Sequence, residues 1–251
     1  MIDNKLLSIS NLDLPIYRVM HFDYVYDLFK TGMLVMTRPH KWDDPFENCL
    51  LKLKAYTKST GEEISIRGVI DIFFGLCWSL DSKESDATWR IYSPHKKGVR
   101  ITTTVRKLIS SLLHHENPEK ANLFYVGKVR YMDADKIIDV ITGAITNKRL
   151  LKTYNGKALA KLLLLKRKEF SHEKEVRLLF SDPGQTIKQY EPQCSFRINP
   201  FDLIDEIVFD PRIMDIHFEL YRDELRYLGV KAQIYQSQLY QVPSGRIELD
   251  D

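Results

Sequence analysis

Phe170-Ser171-His172-Glu173-Lys174-Glu175-Val176-Arg177-Leu178-Leu179-Phe180 sets two carboxylates, a lysine and an arginine directly before and into an apolar run. From Glu175 onward the pattern has a period of two. It predicts a strand with Val176, Leu178 and Phe180 on one face and Glu175, Arg177 and Leu179 on the other. The wet face of a purely structural strand more often carries Thr, Gln or Ser. A carboxylate and a guanidinium at i and i+2 are neighbours on that face. They read either as an exposed ion pair, worth under about 1 kcal/mol, or as the lining of a cleft. The alternation alone leaves both open.

Downstream, Asp182-Pro183-Gly184 is a turn signal. Strands are predicted over 194–198 and 206–209, a helix over 216–228 ended by Gly229, and a last strand over 230–235. Upstream, helices are predicted over 137–145 and 158–165, and a strand over 123–131. The run Lys166-Arg167-Lys168 reads as a solvated basic face. The chain opens with a strand over 16–19, a helix carrying Phe22, Val25, Tyr26 and Phe29 at helical spacing and stopped by Gly32, and a strand over 33–37. A buried strand lies within 69–80, a short helix over 86–92, a strand over 99–103 and an amphipathic helix from Val105 to the His114-His115 pair. Strands and helices do not alternate regularly. The fold class expected is α+β, with mixed, mostly antiparallel sheets and flanking helices in a single domain over 1–251.

Composition excludes several classes. The 251 residues are 44% hydrophobic and 28% charged, as in ordinary globular domains, and only the terminal 248–251 reads as a disordered tail. A net charge of +3 does not by itself argue for nucleic-acid binding. Cys49, Cys77 and Cys194 form neither a disulfide framework nor a zinc site. No apolar run reaches the length of a signal peptide or a membrane span, so the address expected is the cytoplasm, with no membrane partner.

Two further stretches carry candidate chemistry. In Trp42-Asp43-Asp44-Pro45-Phe46-Glu47, Asp44 suits a helix N-cap, Pro45 the first helical position and Glu47 the capping-box position. Asp43, Asp44 and Glu47 also suit the lining of a polar pocket. Trp89 and Tyr92, at i and i+3, read first as core and second as a surface for stacking a ring.

Four stretches together resemble one family. Asp43-Asp44-Pro45-Phe46-Glu47, then Cys77-Trp78-Ser79, then Trp89-Arg90-Ile91-Tyr92 with Lys97-Gly98-Val99-Arg100-Ile101, and finally Phe170 to Arg177, are similar in order and kind to the hallmarks of the bacterial domain-of-unknown-function family 2971. That family implies no activity. A weaker resemblance concerns chemistry. An Arg on a first strand, a Ser ending a middle strand and Glu-x-Glu entering a later strand are similar to the Arg-Ser-Glu class of ADP-ribosyltransferases, here Arg18, Ser79 and Glu175 with Glu173 as the first glutamate. The opening strand, helix, glycine and strand also look like the start of DNA-targeting ADP-ribosyltransferase toxins. Cys77 departs from that pattern, because it stands where the class commonly has another serine.

The second resemblance implies an ADP-ribosyltransferase-like core and NAD as a substrate, with no metal. Cleavage of the nicotinamide–ribose bond develops positive charge on the ribose, and a fixed carboxylate stabilises it. Glu175 would take that role, Glu173 would deprotonate the acceptor, and Ser79 would hydrogen-bond and orient Glu175. Arg18 would hold a pyrophosphate oxygen, and Trp89 or Tyr92 would stack on nicotinamide. The partners implied are a macromolecular acceptor, protein or nucleic acid, and for a toxin or antiviral defence effector a neutralising, operon-encoded protein. Two other readings stay open. One is a non-catalytic protein-binding module. The other is a metal-dependent nuclease using Asp44, Asp81 and Lys83, whose carboxylates would hold Mg²⁺.

Overall fold

The computed structural model describes residues 5–42, 44, 46–47, 54–56, 60–65, 71–116, 118–146 and 155–245. The expectations at Asp43, Pro45, Cys49 and the terminal 248–251 lie outside these residues. The chain opens with β1 (Leu6–Leu7), β2 (Pro15–His21), α1 (Phe22–Thr31) and β3 (Met33–Thr37), followed by the small hairpin β4 (Lys54–Tyr56) and β5 (Glu63–Ser65). Next come β6 (Phe73–Ser79), α2 (Asp86–Tyr92), β7 (Gly98–Thr104), α3 (Val105–His115) and α4 (Pro118–Ala121). The strands β8 (Phe124–Lys128) and β9 (Arg130–Met132) precede α5 (Ala134–Thr146), α6 (Gly156–Leu162) and β10 (Leu165–Arg167). A 3-10 turn over Lys168–Glu173 leads into β11 (Glu175–Ser181). The chain then forms β12 (Gln193–Arg197), α7 (Pro200–Leu203), β13 (Glu206–Phe209), α8 (Asp215–Tyr227) and β14 (Gln233–Gln236).

Local chemistry accounts for several boundaries. Gly32 adopts φ 66°, and its N–H closes α1 onto the Leu28 carbonyl, a left-handed stop that glycine takes without a Cβ penalty. Thr104 accepts the N–H of Lys107 and so caps α3. Three predicted boundaries move, one of them that of the last strand, expected over 230–235 and found at Gln233–Gln236. The strand expected over 123–131 is two strands, β8 and β9, separated at Val129, whose N–H turns to the Glu175 carbonyl at 2.9 Å. The helix expected over 158–165 stops at Leu162, and Leu165 already opens β10. An apolar run this short does not tell helix from strand.

The main sheet has the order β1-β8-β11-β6-β2-β7-β13-β14, and β3 joins β6 and carries β12. Most pairings are antiparallel, the exceptions being β1 with β8, β9 with β10 and β13 with β14. The class is α+β with a mostly antiparallel sheet, as the lack of regular alternation implies. β11 lies between β6 and β8, and all seven of its residues are buried. Its alternation sorts the molecule. Val176, Leu178 and Phe180 enter a core with Ile16, Phe22, Trp78 and Ile101. Leu179 enters a second core with Phe73, Tyr125, Ile137, Ile141 and Leu159.

Trp42 lies against that second face. A Cβ built on Gly75 would stand 2.5 Å from the Trp42 ring, and the same ring faces the Arg177 guanidinium at 4.5 Å. Gly75→Val is therefore expected to displace Trp42 and cost about 1–3 kcal/mol, read as a lowered midpoint in thermal unfolding.

Candidate active site

The site grows from a fork in the sheet. β2 pairs with β6 only at Tyr17 and Ser79, whereas β2 pairs with β7 along its whole length and β6 with β11 along its whole length. On the N-terminal side of Ser79 β6 parts from β2, and it meets β3 at Gly75 instead. The gap opens into a cleft of about 160 Å³. Tyr17, Arg18 and Val19 of β2 line one side, Cys77 and Ser79 of β6 the other; α2 supplies Trp89 and Tyr92, and the entry to β11 supplies Glu173 and Glu175.

All six residues singled out in the sequence, Arg18, Ser79, Trp89, Tyr92, Glu173 and Glu175, line this one cleft. Their surroundings differ. The Arg18 guanidinium donates through Nη1 to the Cys77 carbonyl, while its buried Nε has no partner among the described residues. Burial pulls the Arg18 pKa down, opposed by the negative charge of nearby groups including Glu175. The Ser79 hydroxyl donates to the Glu173 carbonyl at 2.7 Å and accepts the Asp81 N–H at 3.0 Å. It thus fixes the main chain of the Glu173 turn; the expectation that it orients the Glu175 carboxylate is corrected, because its one proton is committed elsewhere. Trp89 is 1% exposed, and its Nε1 donates to Glu84 at 3.2 Å. It forms a wall of the cleft rather than a free stacking face. Tyr92 is 46% exposed, and its hydroxyl donates to Glu173 Oε1 at 3.3 Å.

Behind the carboxylates lies a buried ionic network. Arg177, 1% exposed, donates through Nε (2.9 Å) and Nη2 (2.5 Å) to Glu175 Oε2, through Nη2 to Glu47 Oε1 at 2.8 Å and through Nη1 to the Leu163 carbonyl at 2.7 Å. Lys166 lies 2.9 Å from Glu47 Oε1, 3.4 Å from Glu175 Oε1 and within hydrogen-bond contact of Glu173 Oε2. Three carboxylates thus share two cations, which leaves one negative charge in excess within these five groups. The Glu175 main-chain N–H donates to the Tyr131 hydroxyl at 2.8 Å.

The titration of the pair follows from this arrangement. Burial works to raise the Glu175 carboxyl, but Arg177 and Lys166 outweigh it and hold it below the usual carboxylate range. Burial raises Glu173, and the Glu175 charge adds to the rise against the pull of Lys166. Glu173 therefore takes up a proton before Glu175 as pH falls. Lys166 loses something to burial but is held cationic by its carboxylates. Burial, then the Glu175 charge, push the Cys77 thiol up to about 12, so it is a neutral thiol at physiological pH and a poor nucleophile.

Sequence reasoning missed Lys166 and Tyr131. The run Lys166-Arg167-Lys168 is a solvated face only at its end: Lys168 is exposed, whereas Lys166 is 6% exposed on β10, paired in register with Tyr131 of β9. That small parallel pair delivers both side chains to Glu175. An ammonium in an otherwise apolar run, 162–166, was the available signal. In the stretch before β4, Asp44 accepts the Phe46 N–H and pairs with Arg167, each at 2.9 Å. Asp81 and Lys83 line the cleft and Asp44 does not; Asp81 pairs with Lys174 at 3.0 Å. Among the described residues no group of three or more His, Cys, Asp or Glu side chains is placed to hold a metal ion. No helix of the described residues is long and apolar enough to cross a membrane.

Comparison with known proteins agrees with the family resemblance read from the sequence. Residues 88–178 match the model of a family described as "Protein of unknown function (DUF2971)". The matched stretch runs from α2 to the middle of β11 and includes Trp89, Tyr92, Lys166, Glu173, Glu175 and Arg177. Among solved structures, the chain is similar to Thermus sp. 2.9 DarT in complex with NAD+, at 12% identity and a TM-score of 0.39, over 92% of this chain and 98% of that one. It is similar to the same protein in complex with ADP-ribosylated ssDNA, at 12% identity and a TM-score of 0.41, again over 92% and 98%. None of the curated proteins compared with the chain matches it.

Proposed function

We propose that this cleft cleaves NAD at the nicotinamide–ribose bond and transfers ADP-ribose to a macromolecular acceptor, protein or nucleic acid. The observation that carries the reading is the meeting of Arg18, Ser79, Tyr92, Glu173 and Glu175, drawn from four separate segments, around one cleft at the sheet fork. Glu175 Oε2 is occupied by Arg177, and among the described residues Oε1 has only the longer 3.4 Å contact to Lys166. Oε1 is thus the oxygen with lone-pair capacity for a ribose hydroxyl. In this reading the ribose would become cationic against the excess negative charge of the network.

In the proposed step the C–N glycosidic bond breaks, and its electron pair leaves with nicotinamide, which departs neutral. The ribosyl cation is captured by an acceptor oxygen or nitrogen, whose proton passes to Glu173. Arg18 supplies a fork for the pyrophosphate, and Tyr92, half-exposed on α2, a ring for nicotinamide. Ser79 is a positioning residue that fixes the Glu173 turn. A toxin or antiviral defence effector, neutralised by an operon-encoded protein, is the biological setting in which such an activity would fit.

The test is incubation of purified protein with NAD and either single-stranded DNA or a lysate, following nicotinamide release and acceptor labelling. A pH profile separates the two glutamates. A base whose pKa is raised is protonated, and idle, below that value, so acceptor labelling is expected to fall on acidification above the ordinary carboxylate value of about 4.3 while nicotinamide release persists further into acid. In Glu173→Gln, labelling is expected to be lost and residual release to water retained.

One observation favours a second reading, a non-catalytic protein-binding module. Glu175 is only 8% exposed, and both of its oxygens have cationic partners, as in a purely structural network. That reading gains if Glu175→Gln lowers the melting temperature and leaves the cellular phenotype intact.

A further inference from the structure

Arg100 of β7 also lines the cleft, 9% exposed. The register sets Arg100 opposite Val19 and Arg18 opposite Ile101, so the two arginines leave the sheet on opposite faces. They reach one cleft because the fork between β2 and β6 lets Arg18 turn into the gap, toward the Cys77 carbonyl. Both guanidinium groups are under-satisfied. Arg100 has a 3.5 Å contact to the Ser82 carbonyl, a 3.6 Å ion pair with Glu84, and the Tyr17 ring at 5.0 Å. Its buried Nε, like that of Arg18, has no partner among the described residues. Glu84 is itself divided, because its other oxygen accepts from Trp89 and from the Ser237 hydroxyl.

A buried guanidinium with five donors and few acceptors is costly to keep without an anion. Two of them in one cleft ask for a ligand with two adjacent negative groups. A diphosphate offers them in a form that suits planar forks. We infer that Arg100 and Arg18 together hold the diphosphate of a dinucleotide, Arg100 being the second anion-binding residue of the cleft and Glu84 the carboxylate that the ligand displaces. For the identity of the ligand this rests on the NAD-using reading above.

Calorimetric titration of ADP-ribose into the purified chain tests it. The wild type is expected to bind. Arg100→Gln is expected to weaken binding at least tenfold and Arg100→Lys by less, whereas Glu84→Gln tightens it by removing the competing charge. A mere structural pair between Arg100 and Glu84 would instead make Arg100→Gln and Glu84→Gln act in the same direction. That result, an unchanged affinity in Arg100→Gln, or no binding of ADP-ribose to the wild type would each overturn the inference. Nicotinamide release from NAD, measured on the same samples, keeps the two ideas apart. Arg100-dependent binding without release upholds the diphosphate site and sinks the transferase reading. Release with Arg100-independent binding does the reverse.

Discussion

Arg177→Met is expected to lower the melting temperature by roughly 10 °C, because removing one partner of a buried ion pair costs about 3–5 kcal/mol. The charge count gives the reason. With Arg177 gone, three carboxylates, Glu47, Glu173 and Glu175, are left with Lys166 as their one ion-pair partner among the described residues, and the Leu163 carbonyl loses its donor. The methionine fills the volume against Trp42 but answers none of these groups. Arg90→Met is the control. Arg90 pairs with Asp86 at 2.7 Å on an exposed stretch of α2, and its removal is expected to change stability by under about 1 kcal/mol. Thermal unfolding of both variants at neutral pH reads the contrast. The pH dependence has a definite sign. The Glu175 carboxyl is held low, so its stabilising contribution is present above the unfolded-state value and is lost as pH falls through its lower folded value. Glu173, held high, works the other way over the interval above.

Glu175→Gln is expected to abolish nicotinamide release, with a loss of at least about a hundredfold, the scale seen when one preorganised electrostatic partner of a transition state is removed. The same change balances the network, since two carboxylates then face two cations. Its thermal cost is therefore expected to be smaller than that of Arg177→Met. A large fall in activity with a small fall in melting temperature is the signature of a carboxylate that acts on substrate. The opposite pattern marks one that serves only the fold.

Much of this arrangement was legible in the sequence because it is written in local periods. The alternation at 175–180 gave β11 and its two faces, and helical spacing with a glycine stop gave α1. The candidate residues were legible as an order of types, Arg18, Ser79, Glu173 and Glu175, and the cleft brings them together. What stayed hidden depends on contacts across the chain. Lys166 reads as solvated until Glu47, Glu173 and Glu175 arrive from other segments to neutralise it. The same holds for Ser79, whose hydroxyl is claimed by a carbonyl 94 residues away in the chain. Nor does any local pattern state that β2 and β6 part after a single paired position. That parting is a property of the sheet, and it is what makes the cleft. Arg100 was hidden for a related reason: an arginine in a strand announces itself as polar but not as under-satisfied.

The most direct measurement is nicotinamide release from NAD by the wild type and by Glu175→Gln, both shown to be folded, with an acceptor present. The account expects release by the wild type and none above background by the variant. No release by the wild type across protein and nucleic-acid acceptors, or equal release by the two proteins, would contradict it.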